Sequence, residues 1–93
     1  MMNKQVTEVM DILQEECAEV IQMISKCRRF GIDTVHLKAG ESNRLCLTEE
    51  MGDVLAMIEL MVEHGVVTTE GLDLAKQAKF AKLKQWSNIY EQN

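Results

Sequence analysis

Two short acidic clusters stand out in this chain, Glu15-Glu16-Cys17-Ala18-Glu19 and Glu50-Met51-Gly52-Asp53. Each contains two carboxylates three positions apart, Glu16/Glu19 and Glu50/Asp53. On a helix that spacing puts both acids on one side. With about 100° per residue, Glu16 falls inside the apolar stripe formed by Val9, Ile12, Leu13, Val20, Met23 and Ile24, and Glu19 lies about 60° away at its edge. Glu15 points about 100° round the same side, towards solvent. The second cluster repeats the design: Glu50 sits within the stripe of Leu47, Met51, Val54, Met57, Ile58 and Met61, and Asp53 at its edge about 60° away. If the two helices pack antiparallel, four carboxylates can converge. Unpaired buried carboxylates are costly and raise one another's pKa, so protons or a cation must sit between them. Ligation by carboxylates alone selects a hard cation, Mg²⁺ or Mn²⁺.

The competing reading is a pair of solvated helix faces, the ordinary place for glutamate. Two matched pairs at the edge of apolar stripes weigh against it, because Asp and Glu are rarely buried unpaired. A di-iron bundle would need Glu-x-x-His pairs. Here the fourth positions hold Glu19 and Asp53, and the histidines, His36 and His64, fall elsewhere.

The elements that must position these acids are legible as three helix-period segments. The first runs from about Lys4 to Phe30 and stops at Gly31, a suitable C-terminal cap. The second is expected to open at Thr48, with Glu49 and Glu50 in a first turn that suits the helix dipole, and to end near His64-Gly65. The third follows Thr68-Thr69, has Glu70 in its first turn, carries Lys76, Lys79, Lys82 and Lys84 further along and runs to about Tyr90. Gly31 to Cys46 has no clear period and reads as a long loop with one short helical turn around Val35 to Lys38. The expectation is an all-α fold: one domain over residues 1–93, a bundle of about three main helices completed by oligomerisation.

Composition narrows the functions. Ten Lys and Arg against fifteen Asp and Glu give a net charge of −5, which argues against a nucleic-acid polymer as partner. The longest apolar run, Val54 to Ile58, is far below the roughly 20 residues of a membrane helix, and the N-terminus shows no signal-peptide core. Three cysteines without a CxxC suit neither a disulfide framework nor a zinc cluster, and fit a reducing cytoplasm. Cys17 and Cys27, in apolar-periodic sequence, read as small buried hydrophobes, and Met10, Met23, Met51, Met57 and Met61 as core and interface packing. Proline is absent and aromatics are 4%, which favours helices.

The order of the two clusters, EExxE then ExxD, each in an apolar helix, resembles the MazG-like branch of the all-α nucleoside triphosphate pyrophosphohydrolases. Ser25-Lys26-Cys27-Arg28-Arg29-Phe30-Gly31 and Lys79-Phe80-Ala81-Lys82-Leu83-Lys84-Gln85-Trp86 look like the same family, so the likeness spans about Leu13 to Trp86. It implies cleavage of a nucleoside triphosphate between the α- and β-phosphates, with Mg²⁺ held by the residues matching Glu16, Glu19, Glu50 and Asp53. Glu15 matches the leading acid and would orient or deprotonate water. A helical bundle completed by dimer or tetramer formation is implied as well. This chain departs from the pattern in two places. Thirty residues separate Glu19 from Glu50, which is long for the family. Gln77 stands where many members have Asn, and Lys82 or Leu83 where they have Arg.

The chemistry is consistent with such a site. A triphosphate carrying about four negative charges meets an acidic protein, so divalent ions must bridge them. Lys26, at about 80° from Glu16 beyond Glu19, and Arg29 are candidates to steady the β- and γ-phosphates, or helix-end cations suited to the dipole. On the third helix Leu72, Ala75, Leu83, Trp86 and Tyr90 make an apolar face on which Lys76 and Lys79 also fall, so these lysines snorkel from it, or Lys79, with Lys82, reaches the triphosphate. Trp86 stacks on a base or packs in the core. The rival class is a non-catalytic dimerisation or adaptor module whose acids are surface residues; a metal-binding carboxylate bundle without nucleotide activity is a third.

Overall fold

The computed structural model describes residues 3–38 and 40–91, and within them the backbone forms three helices. Helix α1, Lys4–Phe30, starts where Asn3 accepts a hydrogen bond from Val6 N–H at 2.8 Å, a side-chain N-cap. It stops at Gly31, whose φ of 99° suits a residue without Cβ and whose N–H donates to Cys27 at 2.9 Å. Helix α2 is Asn43–Glu63. It closes in a Schellman arrangement, with Val66 N–H donating to Met61, Gly65 N–H to Val62, and Gly65 at φ 74°. Helix α3, Thr69–Trp86, is capped by Thr68, whose Oγ1 accepts from Gly71 N–H at 2.9 Å.

The all-α reading holds, with three corrections. Helix α2 opens five residues before Thr48, because Ser42 is the cap: its Oγ accepts from Leu45 N–H at 3.1 Å. Thr48 lies inside the helix and donates to the Arg44 carbonyl one turn back. The helical turn expected at Val35 to Lys38 is instead an extended pairing, an isolated antiparallel bridge between Val35 and Ser42 flanked by turns. β-Branched Thr34 and Val35 suit that conformation. Helix α3 ends at Trp86, before Tyr90, because Ser87 turns extended and directs both its N–H and its hydroxyl at the Leu83 carbonyl.

Helices α1 and α2 form the packed pair. Gln5, Val9 and Ile12 line one groove with His64, Leu60 and Met57, and Cys17, Val20 and Ile21 line another with Met51, Val54 and Leu55. Both sets run in opposite chain directions, so the pair is an antiparallel hairpin. The buried hydrophobics are few: Val6, Val9, Met23 and Met61. Helix α3 contributes no buried residue, and Leu74 and Trp86 on and at its end are 72% and 78% exposed. Cys17 and Met51, expected in the core, are exposed because they line the open face of the hairpin.

The molecule is correspondingly thin. Its extents are 44 × 39 × 15 Å, and the short one is little more than a single helix with its side chains, about 10–12 Å. The radius of gyration is 16.5 Å, against about 12 Å for a compact chain of this length. Among the described residues no helix is long and apolar enough to cross a membrane.

Candidate active site

The hairpin register decides which acids meet. Cys27 Sγ lies 3.9 Å from the Asn43 carbonyl, so these two residues mark the same level on α1 and α2. Counting back eleven residues from Cys27 reaches Glu16, and counting on ten from Asn43 reaches Asp53. At about 1.5 Å per residue both lie roughly 15–16 Å from the crossing, so they face each other. By the same count Glu19 falls opposite Glu50.

The side chains follow this plan. Glu16, Glu50 and Asp53 each direct one carboxylate oxygen to a common point, the three oxygens lying within 4.8 Å of one another. Glu16 and Glu50 are half-buried and Asp53 is exposed. Burial raises the Glu16 carboxyl above its ordinary range, and the Asp53 charge and the contact between the two carboxyl groups push it further. Burial likewise raises Glu50, helped by the charges of Glu19 and Asp53, while Lys26 pulls the other way. Glu19 is exposed beside the trio and acts on it through its charge. Glu15 is exposed on the adjacent flank of α1.

The cations divide into two groups. Lys26 stands near enough to act on Glu50 and on Cys46. Arg29 lies 5.0 Å from the centre of the Phe30 ring and, with Arg28, Ser25, Ile21 and Ile24, lines a groove at the end of α1. Lys79, Lys82 and Trp86 belong to α3 and are exposed; no α3 residue lines the grooves beside the carboxylates. Within one chain the structure therefore unites the acids of both clusters but leaves the third-helix candidates away from them.

A divalent hard cation suits this cluster. Its donors are three carboxylate oxygens within 4.8 Å of one another, the hard-oxygen set such an ion takes, and the side chains would close further to meet bonds of about 2.1 Å for Mg²⁺. The raised affinity of Glu16 and Glu50 for protons has the same origin as an affinity for a cation: negative charge held close and partly desolvated.

The model of the MazG nucleotide pyrophosphohydrolase domain matches residues 4–84. The chain belongs to this family. The match covers α1, α2 and nearly all of α3, and contains every candidate site residue except Trp86, which lies just beyond it. Comparison with curated proteins and with solved structures gives no match. Membership in MazG makes nucleotide pyrophosphohydrolysis the activity class.

One residue was passed over in the sequence. Asn43 looked like a loop residue, yet it is 0% exposed, the most deeply buried of the described residues. The Ser42 cap, followed by apolar Leu45 and Leu47, is the signal that could have placed it inside a helix.

Proposed function

We propose that the protein hydrolyses a nucleoside or deoxynucleoside triphosphate at the α–β bond, giving a monophosphate and pyrophosphate, in a Mg²⁺-dependent reaction. The observation that carries this reading is the meeting of Glu16, Glu50 and Asp53 within 4.8 Å in a MazG chain. Residues 1–93 act as one domain, in the cytoplasm, where free cysteines and nucleotide substrates coexist.

Glu16, Glu19, Glu50 and Asp53 would hold Mg²⁺, with Mn²⁺ a substitute. The chemistry supplied by a bound ion of this kind is charge neutralisation of the triphosphate and a lowered pKa for water. The protein's own groups do the rest. Glu15, the exposed neighbour of the trio, orients the attacking water and takes its proton. The water oxygen joins phosphorus, the bridging bond to the departing pyrophosphate breaks, and the released proton ends on the carboxylate or in solvent. Lys26 and Arg29 offset the charge that grows on the leaving phosphates.

The thin shape and the apolar groove of about 340 Å³ between α1 and α2 support assembly into a homodimer or homotetramer. A second copy could then bring Lys79, Lys82 and Trp86 of its α3 to the triphosphate and base. Elution as a clean monomer at micromolar concentration would count against this.

The test of function is a panel of NTPs and dNTPs, each with Mg²⁺ or with chelator, assayed for pyrophosphate. Metal-dependent release that disappears in folded Glu16→Gln and Asp53→Asn supports hydrolysis. A folded wild-type protein without turnover, and without a metal-linked change in melting temperature, supports the adaptor reading instead.

A further inference from the structure

The most deeply buried of the described residues is a polar one, and it sits at neither the carboxylates nor the apolar groove. Asn43 is the first residue of α2, 0% exposed, at the level where α2 crosses Cys27 of α1. Each of its polar groups has a partner. Its N–H donates to the Thr34 carbonyl at 2.9 Å, and its Nδ2 donates to the Gly31 carbonyl at 2.9 Å. Its Oδ1 accepts from Nε2 of half-buried His36 at 2.5 Å, and the Cys27 thiol points at its carbonyl. One side chain therefore ties the first residue after α1, the middle of the connecting loop and the start of α2 together.

Those ties matter because so little else fixes the hairpin. With four buried hydrophobics among the described residues, a slide of α2 along α1 costs little apolar burial. The carboxylates are far more sensitive: a slide by the rise of one residue moves Glu50 and Asp53 by about 1.5 Å past Glu16, most of the length of one metal–oxygen bond. A buried amide is suited to specifying such a register, because any slip leaves its donors and acceptor unpaired away from water. Buried polar groups that fix register at some cost in stability are an established device in helix pairs.

We propose that Asn43, held by His36, is the positioning residue that sets the register of α2 against α1 and so brings Glu16, Glu50 and Asp53 together. The proposal rests on the reading of those acids as a divalent-cation site, but it concerns their placement and can be tested without turnover.

Two readouts decide it: Mn²⁺ binding to the intact protein by calorimetry, and the distance between genetically encoded spin labels at Asp11 and Glu59, exposed positions on facing levels of α1 and α2. Asn43→Asp keeps the shape and the acceptor but cannot donate to Gly31. It is expected to keep helical circular dichroism, to weaken Mn²⁺ binding tenfold or more and to broaden or shift the label distance. His36→Phe, which removes the donor to Oδ1 from a less buried position, should do the same to a smaller degree, and His36→Gln, which can donate again, should restore binding. Asp33→Ala, which breaks an exposed ion pair to Arg44 in the same loop, should change neither readout. A folded Asn43→Asp with wild-type Mn²⁺ affinity and label distance overturns the proposal. If that variant does not fold, wild-type behaviour in His36→Phe, or equal losses in His36→Phe and His36→Gln, overturns it. A wild-type protein that binds no Mn²⁺ refutes the metal reading alone, and the label distances then decide the positioning role.

Discussion

The α1–α2 hairpin and α3 are built from similar material and end in opposite situations. The hairpin has a partner for each of its helices, holds every buried residue among the described ones, and gathers the acids of both clusters at one level. Helix α3 has the same length class and its own caps, carries Lys76, Lys79, Lys82 and Lys84, and buries nothing. The difference is one of partners. Local signals suffice to wind a helix in a chain, but an apolar face contributes stability only where something covers it. The hairpin gathers the acids, with Lys26 near them, while α3 concentrates positive charge away from them. Lysines on α3 lying away from the acids are the pattern expected if the complete site forms between copies of the chain.

The sharpest way to break this contrast is to remove a carboxylate from the hairpin. Glu16→Gln or Asp53→Asn should lower pyrophosphate release by about a hundredfold or more, the scale of losing a preorganised charge at a reacting centre. The fold should survive: without divalent ion the melting temperature should hold or rise, because the change relieves repulsion within the trio. Activity within a few-fold of wild type would remove the acids from the mechanism.

The next largest effect belongs to α3. Lys79→Ala with Lys82→Ala should raise KM about tenfold or more, the effect of losing charge-assisted phosphate contacts, and leave the melting temperature nearly unchanged at these exposed positions. Mixing that variant with Asp53→Asn sharpens the comparison. If α3 serves a neighbouring copy, mixed assemblies contain one site with intact acids and intact lysines, and activity should exceed that of either variant alone. No recovery after subunit exchange would place α3 outside the site.

These two regions were also unequally legible in the sequence. The hairpin's acids could be read because their three-residue spacing coincided with the apolar stripe, so one wheel calculation placed Glu16 and Glu50 inward and Glu19 and Asp53 at the edge, as their exposures show. The start of α2 was not legible, because Thr48 with two following acids resembles an N-terminus more strongly than Ser42 does. Only the loop geometry, in which Asn43 turns inward to Gly31 and His36, shows why the helix begins earlier. The sequence of α3 carries an apolar face, but periodicity reports that a surface wants cover and says nothing of whether the same chain supplies it.

Acidity offers a third test, with opposite signs at the two ends of the hairpin. The folded state raises the Glu16 and Glu50 carboxyl groups, so it holds their protons to higher pH than the unfolded chain does. Their contribution is complete below the ordinary carboxylate pKa and is lost as pH rises through the folded values. Metal-free protein should therefore melt lower as pH is raised across the carboxylate range. Saturating Mg²⁺ should flatten or reverse that trend, since ion binding stabilises the ionised form by mass action. A trend that is the same with and without Mg²⁺ would separate the titrating groups from any cation site.

The smallest effect lies at the loop end. The Arg44 guanidinium, 2.9 Å from Asp33, holds that carboxyl below its usual range. Its contribution is present above the unfolded pKa and disappears as pH falls through the lower folded value, the reverse of the trio. Both partners are largely exposed, at 60% and 74%, so solvent screens most of the attraction. Asp33→Asn should thus cost little at neutral pH, less still at high salt, and should remove only the acid-side limb of the melting-temperature profile. The Glu16 and Glu50 limb should remain. Loss of both limbs together would mean that the loop pair transmits to the carboxylates, and that the register of the hairpin depends on Arg44 as well as on the buried amide beside it.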